Sequence, residues 1–288
     1  MPELPEVEVV KRSLSLKIQN LIIKKVKVND SRLRYRVKKK DLNILTGKKI
    51  LRINRRSKFL VFHLEKDVFL LIHLGMTGKF FYINKKNKKM KTSFYYEIDK
   101  SNKKHNHVIF YLSGRQKLIY NDVRKFGFIK TYNKINFLNN FHFKSLGPEP
   151  LKRNFNYKYF VNFIDGKKRN VKSLLMDQKF VSGLGNIYVN EILFLSKVMP
   201  SREVKNLKTF EISEIIKNTK KILKNAIKLG GSSIKDFSSE NGKKGSFQQE
   251  FNVYGKEGEK CSNADCKNIL SKISISNRAS FYCSSCQK

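Results

Sequence analysis

Four cysteines stand near the end of the chain as Cys261-x4-Cys266 and Cys283-x2-Cys286, with sixteen residues between the pairs. Two close pairs of thiolates can surround one zinc ion tetrahedrally at about 2.3 Å, each pair forming a knuckle on one side of the metal. Four sulfur ligands leave no open coordination position, so such an ion would hold structure and carry out no chemistry. So short a tail cannot build a core without a cross-link of this kind. Arg278, five residues before Cys283, would ride on the zinc-held hairpin, where a guanidinium can take a phosphate through two hydrogen bonds. At the other end, the chain begins MPELPEVEVV and places Glu3, Glu6 and Glu8 within eight residues of its start. On their own, these carboxylates read as partners of a helix N-terminus, worth about 0.3–1 kcal/mol each.

That placement stands out because acidic residues are scarce. The 288 residues contain 61 Lys+Arg against 23 Asp+Glu, a formal net charge of +38. Such a surface suits a polyanionic partner, since lysine and arginine gain affinity by releasing counterions condensed on phosphates. An AT-rich coding bias would also raise Lys, Asn, Ile and Phe while removing Trp, so charge alone does not decide the matter. The first fifteen residues lack the basic start and apolar run of an export signal, and the apolar stretches FLVFHL and VFLLIHLGM are interrupted by Glu65, Lys66 and Asp67. The expectation is a soluble, cytoplasmic, monomeric protein. In a reducing compartment, its cysteines favour metal over disulfides.

Several elements would position these groups. Pro5 to about Ser15 can form a helix, with Pro in the first turn and Val7, Val10 and Leu14 at helical spacing. Up to about residue 133 follow short β-type runs, including RINRRSKFLVFHLE, VFLLIHLG, GKFFYIN, TSFYYEID, HVIFYLS, KLIYND and FGFIKTY. Turn signals separate them, which fits an antiparallel sandwich or barrel. LGPEPL at 146–151 reads as a linker, and beyond it the periodicity is helical, with a segment from Phe210 to Leu229 closed by Gly230 and Gly231. The resulting divisions are a β-rich domain at 1–133, a linker at 134–150, a helical domain at 151–231, a loop and connector at 232–251, and a cysteine module at 252–288.

Taken in order, PELPEVE, RRSKFL, HLGMTGKF, KKHNHV, DVRKFG, LMDQKFVSGLGNIYVNE, GGSSIKDF, GSFQQEFNVYG and RASFYCSSCQ resemble the bacterial formamidopyrimidine-DNA glycosylase family over nearly the whole chain. The resemblance implies an α+β multidomain fold: an N-terminal helix with an antiparallel β-sandwich, a helix-two-turns-helix domain, and a C-terminal zinc finger with one structural Zn2+ on Cys261, Cys266, Cys283 and Cys286. It also implies a partner, double-stranded DNA containing oxidised purines, and an activity, removal of 8-oxoguanine followed by strand cleavage.

The resemblance assigns roles residue by residue. Removal of Met1 would free the secondary amine of Pro2 to attack the anomeric carbon of the damaged nucleotide, and Glu3 would protonate the sugar ring oxygen. Glu6 would support the pocket or the N-terminal amine. Lys58 would contact phosphate at the lesion and assist β-elimination, and Arg278 would bind phosphate and serve δ-elimination. Met76, Arg124 and Phe126 would fill the space left by the extruded base, with Arg124 also contacting DNA. His105, Lys167, Lys172 and Asn186 would contact the DNA backbone. The loop from Gly230 to Gln249 would close over the purine, with Ser232, Ser233 or Ser246 as its possible contacts. Two other readings stand beside this one: an endonuclease VIII-like glycosylase for oxidised pyrimidines, and a noncatalytic zinc-finger DNA-binding protein.

Overall fold

The computed structural model describes residues 2–93, 102–232 and 247–288. The chain forms two compact units, Met1–Lys144 with Leu229–Ser246, and Ser145–Lys228 with Phe247–Lys288. Most of the TSFYYEID run, and both Ser233 and Ser246, lie outside the described residues.

The first unit opens with helix α1 (Leu4–Ile18), which buries Leu4, Val7, Val10, Leu14 and Ile18 along one face. That apolar stripe packs on strands β2 (Ile50–Arg56) and β3 (Phe59–Leu64). Two antiparallel sheets follow. One has the order β2-β3-β4-β9, where β4 is Val68–His73 and β9 is Phe128–Asn133. The other has the order β1-β7-β8-β5-β6, formed by Ile23–Val28, Asn106–Leu112, Gln116–Asn121, Lys79–Ile83 and Lys89–Lys91 respectively. Helix α2 (Lys39–Asn43) lies between β1 and β2 in the chain.

The run FLVFHL is apolar at consecutive positions because both faces of its sheet are covered. Leu60, Phe62 and Leu64 point into the main core, whereas Val61 joins Leu71 and Phe128 in a second cluster on the opposite face. Helices α3 (Lys134–Leu138) and α4 (Phe141–Lys144) cover that second face through Phe137 and Phe143, with Phe137 stacked on Phe69 at 4.3 Å. Part of the stretch expected as linker is therefore helical. Short helices of this kind are marginal alone, and the aromatic contacts with the sheet supply their stability.

The second unit contains α5 (Tyr157–Ile164), α6 (Val171–Met176), α7 (Asn186–Leu195) and α8 (Thr209–Lys228), followed by a hairpin of β10 (Ser271–Ile275) and β11 (Arg278–Tyr282). Phe155, Phe160 and Phe180 form an aromatic centre. LGPEPL is not free here: Gly147 N–H donates to Gln178 O at 2.8 Å and Ser182 N–H to Pro148 O at 3.0 Å. A Cβ on Gly147 would lie 2.4 Å from Phe180 O, so only glycine permits this approach. Among the described residues, no helix is long and apolar enough to cross a membrane.

Candidate active site and metal centre

In the first unit, Pro2 and Glu3 are buried at the start of α1. Glu3 is the N-cap and forms a capping box with Glu6, whose Oε2 accepts the Glu3 backbone N–H at 2.8 Å. The other oxygen, Oε1, accepts from Ser232 N–H at 2.8 Å and from Ser232 Oγ at 3.0 Å. Glu6 therefore joins the first turn of α1 to the segment after α8. Gly231, at φ +83, brings that segment in, and a Cβ there would lie 2.9 Å from Glu6 Oε1. Glu8 does more than cap a helix. Burial opposes its ionisation, but Arg55, bound at 3.0 Å, with Lys11 and Arg12, outweighs that and holds the carboxyl below its ordinary range.

Lys58 is buried in the tight turn between β2 and β3, where Ser57 adopts φ +53. The next residue, Phe59, pairs across the sheet with His73, whose ring lies 5.0 Å away. Burial, then Lys58, Arg34 and His142, bring His73 down to about 4, so its imidazole is neutral near physiological pH. Its Nδ1 accepts Gly75 N–H at 3.1 Å and fixes the turn that carries Met76.

The loop containing Met76 and the loop containing Arg124 and Phe126 meet backbone to backbone. A Cβ on Gly75, at φ +61, would stand 2.4 Å from Gly127 N and 2.5 Å from Phe126 C. The Arg124 guanidinium lies 4.6 Å over the Phe126 ring, and Phe126 is 45% exposed despite its apolar character. The two loops are thus adjacent through Gly75 and Gly127, with Arg124 and Phe126 exposed and Met76 half-buried. His105 is half-buried. Desolvation, then His107 and surrounding lysines, lower its pKa.

In the second unit, Arg278 is exposed at the start of β11, directly after a two-residue turn with φ +50 at Ser276 and +56 at Asn277. The strand behind it is held from below. Lys172 Nζ donates to Ala279 O at 2.6 Å and to Ser280 Oγ at 2.7 Å, Asn186 Nδ2 donates to Ala279 O at 3.1 Å, and Asn190 Oδ1 accepts Phe281 N–H at 2.7 Å. Lys172 is fully buried. Desolvation, and secondarily Arg278, bring its ammonium down to about 8. Enclosed in this way, Lys172 anchors the strand behind Arg278 through both hydrogen bonds. Lys167 folds back to donate to Phe163 O.

Glu191, not singled out by its position in the sequence, accepts from Asn252 N–H, Asn252 Nδ2, Val253 N–H and Tyr254 N–H at 2.8–3.0 Å. It fixes the entry to the cysteine module. The Sγ atoms of Cys261, Cys266, Cys283 and Cys286 all lie within 4.8 Å of one another, with 3.8 Å between Cys261 and Cys286 and 3.6 Å between Cys266 and Cys283. Tetrahedral Zn–S bonds of about 2.3 Å require S···S separations of about 3.8 Å. The donor set and its spacing fit one structural zinc ion.

Residues 1–129 match the family model described as the formamidopyrimidine-DNA glycosylase N-terminal domain, and residues 146–238 match that of the formamidopyrimidine-DNA glycosylase H2TH domain. The chain is 39% identical over 287 residues to the formamidopyrimidine-DNA glycosylase of Rickettsia felis, covering 100% of this chain and 98% of that protein. It is 38% identical to that of Rickettsia bellii over 288 residues and the full length of both. A Lactococcus lactis Fpg in complex with DNA containing an abasic site superposes with a TM-score of 0.85 at 36% identity, over 99% of each chain. Wild-type Lactococcus lactis Fpg bound to DNA containing an oxidised pyrimidine gives 0.84 at the same identity, over 100% of each chain. This chain belongs to the formamidopyrimidine-DNA glycosylase family, the DNA-binding glycosylases of DNA repair.

Proposed function

We propose that the protein is a bifunctional DNA glycosylase and apurinic/apyrimidinic-site lyase that removes 8-oxoguanine and formamidopyrimidines from double-stranded DNA. The observation that carries this reading is the pairing of Pro2 with Glu3 at the buried start of α1, held by Glu6. After removal of Met1, an α-amine with a reference pKa of about 7.7–8.0 is substantially unprotonated near neutral pH, unlike a lysine near 10.4. The Pro2 nitrogen attacks C1′ of the damaged nucleotide, the glycosidic bond breaks, and its electron pair leaves with the base. Glu3 donates a proton to the ring oxygen as the sugar opens. Because the amine is secondary, the adduct is a charged iminium. Loss of a C2′ proton then drives β-elimination of the 3′ phosphate, assisted by Lys58, and a second elimination with Arg278 releases the 5′ phosphate.

Met76, Arg124 and Phe126 fill the space vacated by the extruded nucleotide, apolar wedges beside a guanidinium that pairs with the orphaned cytosine. His105, Lys167 and Asn186 bind the backbone, and Lys172 positions the Arg278 strand. The four cysteines hold one structural Zn2+, which takes no part in the chemistry, and the protein acts as a cytoplasmic monomer. The bound oxidised pyrimidine in the Lactococcus lactis complex keeps pyrimidine lesions as the second substrate reading.

Borohydride trapping tests both. Purified protein lacking Met1 is incubated with duplexes carrying 8-oxoguanine or thymine glycol and then reduced. A covalent complex on the purine lesion is expected. Trapping only on thymine glycol would transfer the assignment to oxidised pyrimidines, and trapping on neither would overturn the enzymatic reading.

A further inference from the structure

Between the two void-filling loops lies a buried polar contact that the chemistry above does not use. Thr77, next to Met76, donates its hydroxyl to Asp122 Oδ1 at 2.5 Å and accepts Arg124 N–H at 2.9 Å. Asp122, two residues before Arg124, is fully buried, and its Oδ2 accepts Gly127 N–H at 2.9 Å and Tyr120 Oη at 3.2 Å. Its backbone extends the connection to a third loop. Asp122 N–H donates to His105 O at 3.1 Å, and Asp122 O lies 2.7 Å from His107 Nε2.

A buried carboxylate is expensive unless it is fully bonded, so this one is retained where its bonds must be made. Here they brace both sides of the turn that presents Arg124 and Phe126, while Thr77 relays that bracing to the turn that presents Met76. The glycines permit this closeness: a Cβ on Gly127 would stand 1.8 Å from Tyr120 Oη, and one on Gly78 would stand 2.6 Å from it. The exposed wedge and guanidinium thus rest on a rigid base, although each sits on an irregular turn. Such preorganisation matters most for a group that must choose between hydrogen-bonding partners, because small displacements equalise good and bad geometries.

We propose that Thr77 and Asp122 form a positioning pair that locks the Met76 loop to the Arg124–Phe126 loop, and thereby set which base is accepted opposite the lesion. The proposal rests on the assignment of Met76, Arg124 and Phe126 as void-filling residues. Thr77→Val keeps the shape of the side chain but removes both hydrogen bonds, Thr77→Ser restores them, and Asp122→Asn either turns a donor towards Gly127 N–H or reverses the hydrogen bond with Thr77, whose hydroxyl must then accept.

The experiment measures excision of 8-oxoguanine opposite cytosine and opposite adenine, together with borohydride trapping at an abasic site in a single strand, which has no opposite base. Thr77→Val is expected to lower kcat/KM on the cytosine duplex about tenfold and to bring the cytosine-to-adenine ratio towards one. Single-strand trapping should stay within about twofold of wild type, and Thr77→Ser should recover the wild-type ratio. Asp122→Asn should change the ratio in the same direction as Thr77→Val. An unchanged ratio in Thr77→Val, or an equal loss on single-stranded and duplex substrates, would overturn the coupling. A wild-type protein that traps on no lesion would overturn the parent assignment instead.

Discussion

Replacing Lys172 by Met separates two roles for a lysine that sequence alone cannot tell apart. If Lys172 neutralised a phosphate, its loss would lower the slope of log K against log salt by about 0.9, so that between 50 and 200 mM salt the variant would lose about 3.5-fold less affinity than wild type. If it only anchors the strand behind Arg278, its loss acts through Arg278, so in an Arg278→Ala background the slope should not fall further. The energetics are worked from two short hydrogen bonds, 2.6 Å to Ala279 O and 2.7 Å to Ser280 Oγ, made by a fully buried ammonium. Charge-assisted bonds contribute about 1.5–3 kcal/mol each. Removing the ammonium also relieves a desolvation cost of several kcal/mol, while Ala279 O keeps its bond from Asn186. With methionine filling the stem volume, net destabilisation should stay within about 2 kcal/mol, so the folded protein remains testable. The expected outcome has three parts: a salt slope by fluorescence anisotropy that Lys172→Met leaves unchanged in the Arg278→Ala background, excision near the wild-type rate in the single variant, and a product mixture in which β-elimination accumulates over δ-elimination because Arg278 is displaced. A slope reduced by about a further 0.9 in the Arg278→Ala background would refute the anchorage argument and favour the phosphate contact.

Three further outcomes follow from the geometry. His73, held at about 4, binds no proton in the folded state between that value and its unperturbed 6.5, whereas the unfolded chain does. Its contribution to stability is therefore complete above pH 6.5 and is lost as pH falls towards 4, on the order of 3 kcal/mol in all, and His73→Gln should flatten that part of a urea-denaturation pH series. Gly127→Ala would force a Cβ to within 1.8 Å of Tyr120 Oη and 2.6 Å of His73 O. A loss on the order of 3 kcal/mol in thermal or urea unfolding is expected, and a loss below about 0.5 would contradict the close approach. Cys283→Ser should lower bound zinc from one equivalent per chain by elemental analysis and reduce DNA affinity, while Pro2→Gly keeps zinc and loses chemical rate. Full zinc occupancy in Cys283→Ser would refute the four-thiolate site.

Features governed by local spacing were legible in the sequence. The period of Val7, Val10 and Leu14 foretells the buried face of α1, and the cysteine spacing foretells four sulfurs at metal-binding separation. What was not legible depends on partners remote in the chain. Lys172 is indistinguishable from any lysine at a helix start until β11 supplies acceptors more than a hundred residues away. KINFLNNFHFK resembles a connector because its aromatic residues show their use only when the outer face of β4 and β9 is present. Asp122 looks like an ordinary turn residue, and only its burial and the convergence of Thr77, Tyr120 and Gly127 on one carboxylate mark it out.

The same distinction bears on the charge of +38. An AT-rich coding bias adds lysines where they cost nothing, on solvated surface, so their number says little about function. Burial is the discriminating property, because a buried ammonium costs several kcal/mol and survives only where the fold provides bonds for it. Among the described residues three lysines are buried: Lys58, Lys79 and Lys172. Lys58 occupies the turn beside His73, Lys79 lies within electrostatic reach of Asp122, and Lys172 supports the strand that begins with Arg278. Mutational bias does not account for that coincidence with the proposed functional loops. Substituting exposed lysines such as Lys85, Lys86 and Lys88 should therefore change only the salt-dependent affinity, whereas changes at the three buried positions should also alter individual steps.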